Sequence, residues 1–215
     1  TDQGYIDVST RNFLVLSANL NAAYRERVGD FDFITTVGGQ MFRQNDYQTL
    51  ISATGVPDGS ESVNNSADQS VQDFYNTVTS YGLYIAENVG WKDKFFLDLG
   101  LRFDGNTAFG DEIGLIPLIK VGGSYVISDE AFFKNIISKD VVHLMKFRAN
   151  YGEATIFPTP FANDLTFALN PYNGLQSFAF DNPGNPELQS EIAKTTEVGV
   201  DIGLFKRLTL GFTYY

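Results

Sequence analysis

The sequence predicts an all-β chain: an antiparallel, up-and-down transmembrane β-barrel segment of about eight strands, with one short helix in a connection on the short-turn side. Three observations carry this. Apolar residues recur at period two through most of the 215 residues, the spacing of a strand with one apolar and one polar face. The connections alternate between very short and long, as in barrels with tight turns at one rim and extended loops at the other. No run of the sequence approaches the ~20 consecutive apolar residues that a membrane-spanning helix needs.

The strands follow in order. Between Phe13 and Arg25, Leu14, Leu16, Ala18, Leu20, Ala22 and Tyr24 fall on one face and Ser17, Asn19, Asn21 and Arg25 on the other. The second runs from Phe31 to Met41. The third, 79–91, is less regular, because Tyr81, Leu83, Ile85, Val89 and Trp91 share their face with Glu87. Phe95 to Phe103 and Ile119 to Ile127 form the fourth and fifth, Met145 to Tyr151 the sixth, Val198 to Leu204 and Leu208 to Tyr214 the last two. Short turns are expected at Val28-Gly29-Asp30, at Lys92-Asp93-Lys94 and at Phe205-Lys206-Arg207. Long connections are expected at 43–78, 105–116 and 153–193, with 43–78 read as a solvated external loop rich in Ser, Asn, Asp and Gln. At 128–142 a brief capped helix is expected, with Ser128 at the N-cap and Ala131 to Ile137 as its body. Strands of ~9–11 residues suffice to cross a bilayer in a closed sheet. Tyr24, Phe31, Trp91, Phe95, Phe103, Tyr151 and Tyr214, near strand ends, suit interfacial girdles. Glycines at 38, 39, 122, 123, 199 and 203 suit a curved or closely packed wall. The alternation by itself also admits a soluble β-sandwich that buries the same aromatics, or a self-contained eight-stranded barrel with a structural or adhesive role.

Composition removes several function classes. Fifteen Lys and Arg against 26 Asp and Glu leave a net charge of −11, whereas a nucleic-acid binder needs surplus cations to neutralise phosphates. With no Cys there are no disulfides, thiolate metal sites or cysteine nucleophiles. The single His143 is placed by strict alternation on the face opposite Lys146, so no base is positioned to activate Ser80 or Ser124 beside Asp98, and no catalytic residue, metal site or cofactor is assigned. The chain begins at Thr1 without an initiator Met and stops at Tyr215 within a strand pattern, which reads as a piece of something longer.

Four segments, in order, resemble the barrel of SusC/RagA-type TonB-dependent transporters. LDLGLRFDGNTAFG at 97–110 matches in Arg102, Asp104, Gly105, Phe109 and Gly110, with Asn106-Thr107-Ala108 where a Ser-Ser-Arg type sequence is commoner. YVISDEAFFK at 125–134 matches a periplasmic connection in Ile127, Ser128, Glu130 and Phe132. LMKFRANYGEAT at 144–155 matches in Lys146, Arg148, Tyr151 and Gly152. NPELQSEIAKTTEVGVDIGLFKRLTLGFTYY at 185–215 matches in Asn185, Pro186, Leu188, Glu191, Glu197, Gly199 and Asp201, and departs at Gln189-Ser190. Ile116-Pro117-Leu118 matches only in part. The resemblance implies a partial wall of a 22-stranded barrel in the cell outer membrane, with the plug outside this chain. It implies uptake of an oligosaccharide or peptide, with outer-membrane lipid around the wall and with TonB and a SusD-like surface lipoprotein as partners.

Two groups of residues are the candidates for contact with a solute or partner. Asp98, Arg102, Asp104, Lys120, Lys146, Arg148, Glu197 and Asp201 lie on the polar, lumen-facing side of the strands, where opposite charges on neighbours can pair. Phe157, Phe161, Phe167, Tyr172, Phe178 and Phe180 lie in the 153–193 connection, where flat rings could stack on sugars. DLTFAL and LQSFAF there could equally extend as strands that pack on each other or against a lipoprotein lid.

Overall fold

The computed structural model describes residues 4–109, 114–185 and 187–215. Ten strands and one helix follow in order: β1 Gly4–Val28, β2 Phe31–Val56, β3 Asp68–Trp91, β4 Phe95–Asn106, β5 Ile116–Val126, α1 Ala131–Ile136, β6 Val142–Ile156, β7 Thr166–Tyr172, β8 Leu175–Asn182, β9 Glu191–Leu204 and β10 Leu208–Tyr214. Eight of them form one sheet in the order β1-β2-β3-β4-β5-β6-β9-β10, and β7 pairs with β8 alone. Neighbours in the sheet are neighbours in the chain except at β6 and β9, between which the β7–β8 hairpin is inserted. Among the described residues no helix is long and apolar enough to cross a membrane.

The alternation of the sequence appears as two unlike faces. On one, the apolar rows lie open: Leu20 is 81% exposed, Leu83 58% and Phe212 67%. No second layer of described residues covers them, which excludes the sandwich. The strand order ends at β1 and β10, which are not hydrogen-bonded neighbours, so the eight strands do not form the self-contained barrel. Glu87 breaks the apolar face and is answered from the next strand, where the Thr35 hydroxyl donates to its carboxylate at 2.6 Å.

Tight turns set the register at one rim. Lys92 and Asp93 (φ 53° and 55°) and Phe205 and Lys206 (φ 53° and 55°) both lie in the left-handed region, the two-residue I′ geometry that matches strand twist. Lys94 and Arg207 close these turns on the carbonyls of Trp91 and Leu204, each at 3.0 Å. The helix differs from expectation. Ser128 is buried in a 3-10 turn over Ile127–Asp129, and Glu130 is the N-cap, without a side-chain cap bond. The chain closes one turn first, Glu130 N–H on the Ile127 carbonyl at 3.0 Å, which moves the cap two residues on and ends the helix at Ile136.

The chain divides into two compact units. The first, within residues 1–18 and 41–80, consists of the far ends of β1, β2 and β3. Here the expected 43–78 loop is corrected: β2 runs to Val56 and β3 begins at Asp68, leaving 57–67 as the connection. These ends hold together with polar pairs in place of apolar rows. Arg11 donates to both oxygens of Asp46 (2.8 and 2.6 Å), Gln48 to Ser9, Thr49 to Asp73 and Thr77 to Asn45, and Tyr47 and Tyr75 are ring neighbours.

The second unit, 19–40 and 81–215, contains the rest of the sheet. The 153–193 connection is also corrected there: β6 extends to Ile156, β9 begins at Glu191, and the hairpin occupies 166–182. A recurring device is a side chain lying over a glycine of the next strand. A Cβ on Gly38 would meet the Tyr84 ring at 2.5–2.8 Å, and one on Gly82 would collide with the Arg102 guanidinium and the Asp104 carboxylate.

Two outcomes follow. Gly82→Val is expected to displace Arg102 and Asp104 and cost the full-length protein about 1–3 kcal/mol through overpacking. Gly152→Ala, whose Cβ meets nothing within 4 Å, is expected to be neutral; the midpoint of the heat-induced gel-mobility shift measures both. The bond from Arg11, more than its charge, holds the Asp46 carboxyl below its ordinary value of 3.8. That contribution is complete above the ordinary carboxylate range and is lost as pH falls through the lowered value. Amides around 9–12 and 45–48, corrected for intrinsic rates, should therefore stay protected at about pH 4, while Asp46→Asn should lose that protection at neutral pH.

Candidate functional site: the polar face of the sheet

The register places the polar residues in rows across the strands. Asp98, Gly122, Asn150 and Glu197 form one row, Gly100, Lys120, Gly152 and Thr195 the next, and Phe96, Ser124, Arg148, Gly199 and Thr213 a third. The row of Gly100, Lys120, Gly152 and Thr195 is short of side chains. Its Gly100 and Lys120, with Ala86 of β3, line a depression of about 330 Å³ bordered also by Gln40, Tyr84, Arg102, Leu118 and Glu153.

Arg102 is the most connected of the expected candidates. Its Nε donates to Asp104 at 2.5 Å and its Nη1 to Gln40 at 2.8 Å. The guanidinium carbon lies 5.9 Å from the Tyr84 ring centre, and Leu118, directly opposite in register, is 4% exposed beneath it. Three strands are thereby tied by one planar group, a task suited to guanidinium and not to a point charge. Gln40 and Tyr84 escape a reading based on charge. For Tyr84 the signal is Gly38, over which its ring lies flat.

Arg148 makes a second junction. Its Nε is 3.4 Å from Asp201 and its Nη2 donates to Thr213 of β10 at 2.6 Å. Direct pairing across the sheet would join Asp201 to Lys146, its register partner. Arg148 takes Asp201 diagonally instead, because Gly199 opposite leaves space for its guanidinium, which a Cβ there would touch at 2.9–3.0 Å. His143 departs from strict alternation: a bulge between Val142 and Leu144 brings its ring over Gly203, on the side of Asp201, where its Nδ1 accepts the Lys206 N–H at 3.3 Å. Among the described residues it has no serine partner there.

Of the eight charged candidates, the structure joins Arg102 with Asp104 and Arg148 with Asp201. Lys120, Lys146, Asp98 and Glu197 have no ion-pair partner among the described residues. The face thus has two junctions, and four charged residues without ion-pair partners among the described residues. Such a surface can wet and steer a polar solute.

The aromatic candidates separate. Phe167 faces Phe180, and Leu169 faces Phe178, on one side of the hairpin, with the Phe167 and Phe180 rings edge to face at 6.3 Å. Tyr172 pairs with Leu175 on the other side, at the Asn173-Gly174 turn. Phe157 and Phe161 precede the hairpin; Phe161, at φ 62°, accepts from Asn182 Nδ2 through its carbonyl. Of the motif residues, Gly110 and Pro186 lie outside the described residues.

Arg102→Lys keeps the charge and removes the fork. It is expected to cost the full-length protein about 1 kcal/mol after allowing for its partial exposure. Lys120→Met, with no partner to lose, is expected to stay within about 0.5 kcal/mol. The same gel-shift midpoint separates them.

The whole chain, residues 1–215, matches the family model described as TonB dependent receptor-like, beta-barrel. Among curated proteins it is 26% identical over 204 residues to TonB-dependent receptor P26 of Formosa agariphila, covering 89% of this chain and 20% of that protein. It is 33% identical over 132 residues to TonB-dependent receptor P39 of the same organism, covering 58% of this chain and 12% of that protein. The chain therefore spans about a fifth or less of these relatives. Among solved structures it resembles the RagAB peptide transporter (TM-score 0.86, 15% identity, 98% of this chain and 24% of that one) and the RagAB peptide importer in its closed-closed state (TM-score 0.81, 15% identity, the same coverage). The two-faced antiparallel wall, the turn-rich rim and the match along its full length agree: the chain belongs to the TonB-dependent receptor β-barrel family.

Proposed function

We propose that this chain is wall of an outer-membrane importer, driven through TonB, that admits an oligosaccharide or a peptide with the help of a SusD-like surface lipoprotein. The observation that carries the reading is the contrast between the two faces. One is an apolar surface interrupted by the Thr35–Glu87 pair and by Glu153 with Tyr151 and Lys194, which suits acyl chains. The other leaves Lys120, Lys146, Asp98 and Glu197 without ion-pair partners among the described residues, with Lys120 at the depression itself, which suits a polar solute passing close to the backbone. A wall that only enclosed protein would gain nothing from unmatched charges, whose desolvation costs free energy. The Phe167, Phe178 and Phe180 face of the hairpin is assigned to the outer side, as a contact for the solute or the lipoprotein.

The test uses the full-length receptor in its own cells with its own gene disrupted, supplied with labelled oligosaccharides and labelled peptides in turn. One class is expected to enter only when both the receptor and TonB are present. Lys120→Glu combined with Lys146→Glu should lower that uptake several-fold at unchanged receptor abundance in the outer membrane. Uptake of neither class, or uptake indifferent to TonB, would refute the importer reading.

A further inference from the structure

We propose that α1 is a membrane anchor: its outward apolar pair and neighbouring lysines insert into the glycerophospholipid headgroup region at the short-turn rim. The inference rests on reading the apolar face of the sheet as lipid-facing, and adds a second, separate contact with the bilayer.

The helix is apolar on two sides, although it is only six residues long. Phe133 is buried and Ile137 half-buried, fastening it to the rim. Phe132 and Ile136, one turn apart on another side, are 53% and 79% exposed. Residues four apart share a helix face, so these two form a patch and not two scattered exceptions. A soluble connection has no use for a Phe and an Ile presented together.

Its location argues for lipid as the occupant. The Glu130 carboxylate that begins the helix takes Lys94 at 3.2 Å and lies against the Tyr125 hydroxyl. Tyr125 stands opposite Phe95 and Phe147 on the apolar face of the sheet. The helix thus starts beside the last aromatic row of the surface that meets acyl chains, where amphipathic aromatic side chains favour the membrane interface.

Charge is distributed to match. The four short connections (29–30, 92–94, 127–141 and 205–207) contain six of the 15 cationic residues but only five of the 26 acidic ones, a net +1, while the rest of the chain is −12. Around the helix, Lys134 and Lys139 approach Asp129 at 3.6 and 2.8 Å, and both stay about half exposed, able to meet phosphates. Exposed apolar residues flanked by lysines on one short helix are the pattern of an interfacial segment.

The test is site-directed spin labelling of the full-length receptor, other cysteines replaced, in vesicles of phosphatidylethanolamine with a minority of phosphatidylglycerol. Cysteine is introduced by Phe132→Cys or Ile136→Cys at the helix, and by Leu99→Cys on the outer face of β4. Expected is a nitroxide at 132 and 136 that collides more with oxygen than with a water-soluble nickel complex, at a shallower depth than at 99. Two results at the helix would overturn the anchor: greater access to nickel, meaning water, or access to neither reagent, meaning a covering protein. If the nitroxide at 99 also avoided oxygen, the lipid-facing wall itself would be wrong, which separates the two failures. Ile136 is so exposed that its replacement leaves folding intact, so a negative result there is informative.

Discussion

The structure depends on long polar side chains lying flat across the backbone of the next strand, a pose that the neighbour permits only by being glycine. Tyr84 over Gly38, Arg102 and Asp104 over Gly82, Asn150 over Gly122, Arg148 over Gly199 and His143 over Gly203 all repeat it. A side chain laid flat contacts two or three strands, so it ties the sheet laterally in addition to the hydrogen-bonded ladders that join neighbouring strands. It also keeps that face thin. Glycine is a poor strand residue on entropy alone, and its frequency on the polar side shows that lateral packing outweighs that cost here.

The opposite face follows a different rule. Its rows of Leu, Val and Phe are not packed against described residues, so in water they would be a large adhesive surface. In a bilayer the same rows lose that penalty. Glu87 is the informative exception. A carboxylate on this face is costly unless satisfied, and Thr35 stands across from it with the hydroxyl 2.6 Å away. On the apolar face the Thr35 hydroxyl thus answers one oxygen of Glu87, the other having no hydrogen-bond partner among the described residues, and on the polar face the two arginine junctions hold Asp104 and Asp201.

The sequence made the wall legible wherever one face meets an apolar medium, because period two is the imprint of that medium. Strands 4, 5, 6, 9 and 10 were readable for this reason. The imprint vanishes in β1, β2 and β3 beyond the apolar rows, and there the strands continue for many residues on pairs such as Arg11 with Asp46 and Thr49 with Asp73. These are hydrogen-bond complements between distant segments, and no local pattern announces them. The β7–β8 hairpin was visible only as two short apolar runs separated by Asn173-Gly174. The helix is legible in the sequence and its cap is not, since the 3-10 turn that displaces Ser128 depends on packing rather than on capping preference. Among site residues the charges were found by type, but which of them pair was not. A diagonal Arg148–Asp201 contact depends on the vacancy at Gly199, and His143 changes face through a bulge one residue long.

The division of charges then gives the polar face its character. Arg102 and Arg148 are each held by several partners through a planar fork, so they are structural and will not be spared for a passing solute. Lys120 and Lys146 are flexible point charges without such partners, and Lys120 rises from a row in which Gly100 and Gly152 stand on either side. A cation on a long stem between two glycines can sweep a wide arc at little steric cost. Asp98 and Glu197, one row away on β4 and β9, supply the opposite sign within reach of the same space. A wall built this way separates cohesion from recognition: replacing the arginines changes the wall, whereas replacing the lysines or the free acids changes only what the wall presents. That separation lets the polar face diverge in sequence without loss of the fold, because the groups that face the passage are not those that hold the strands together.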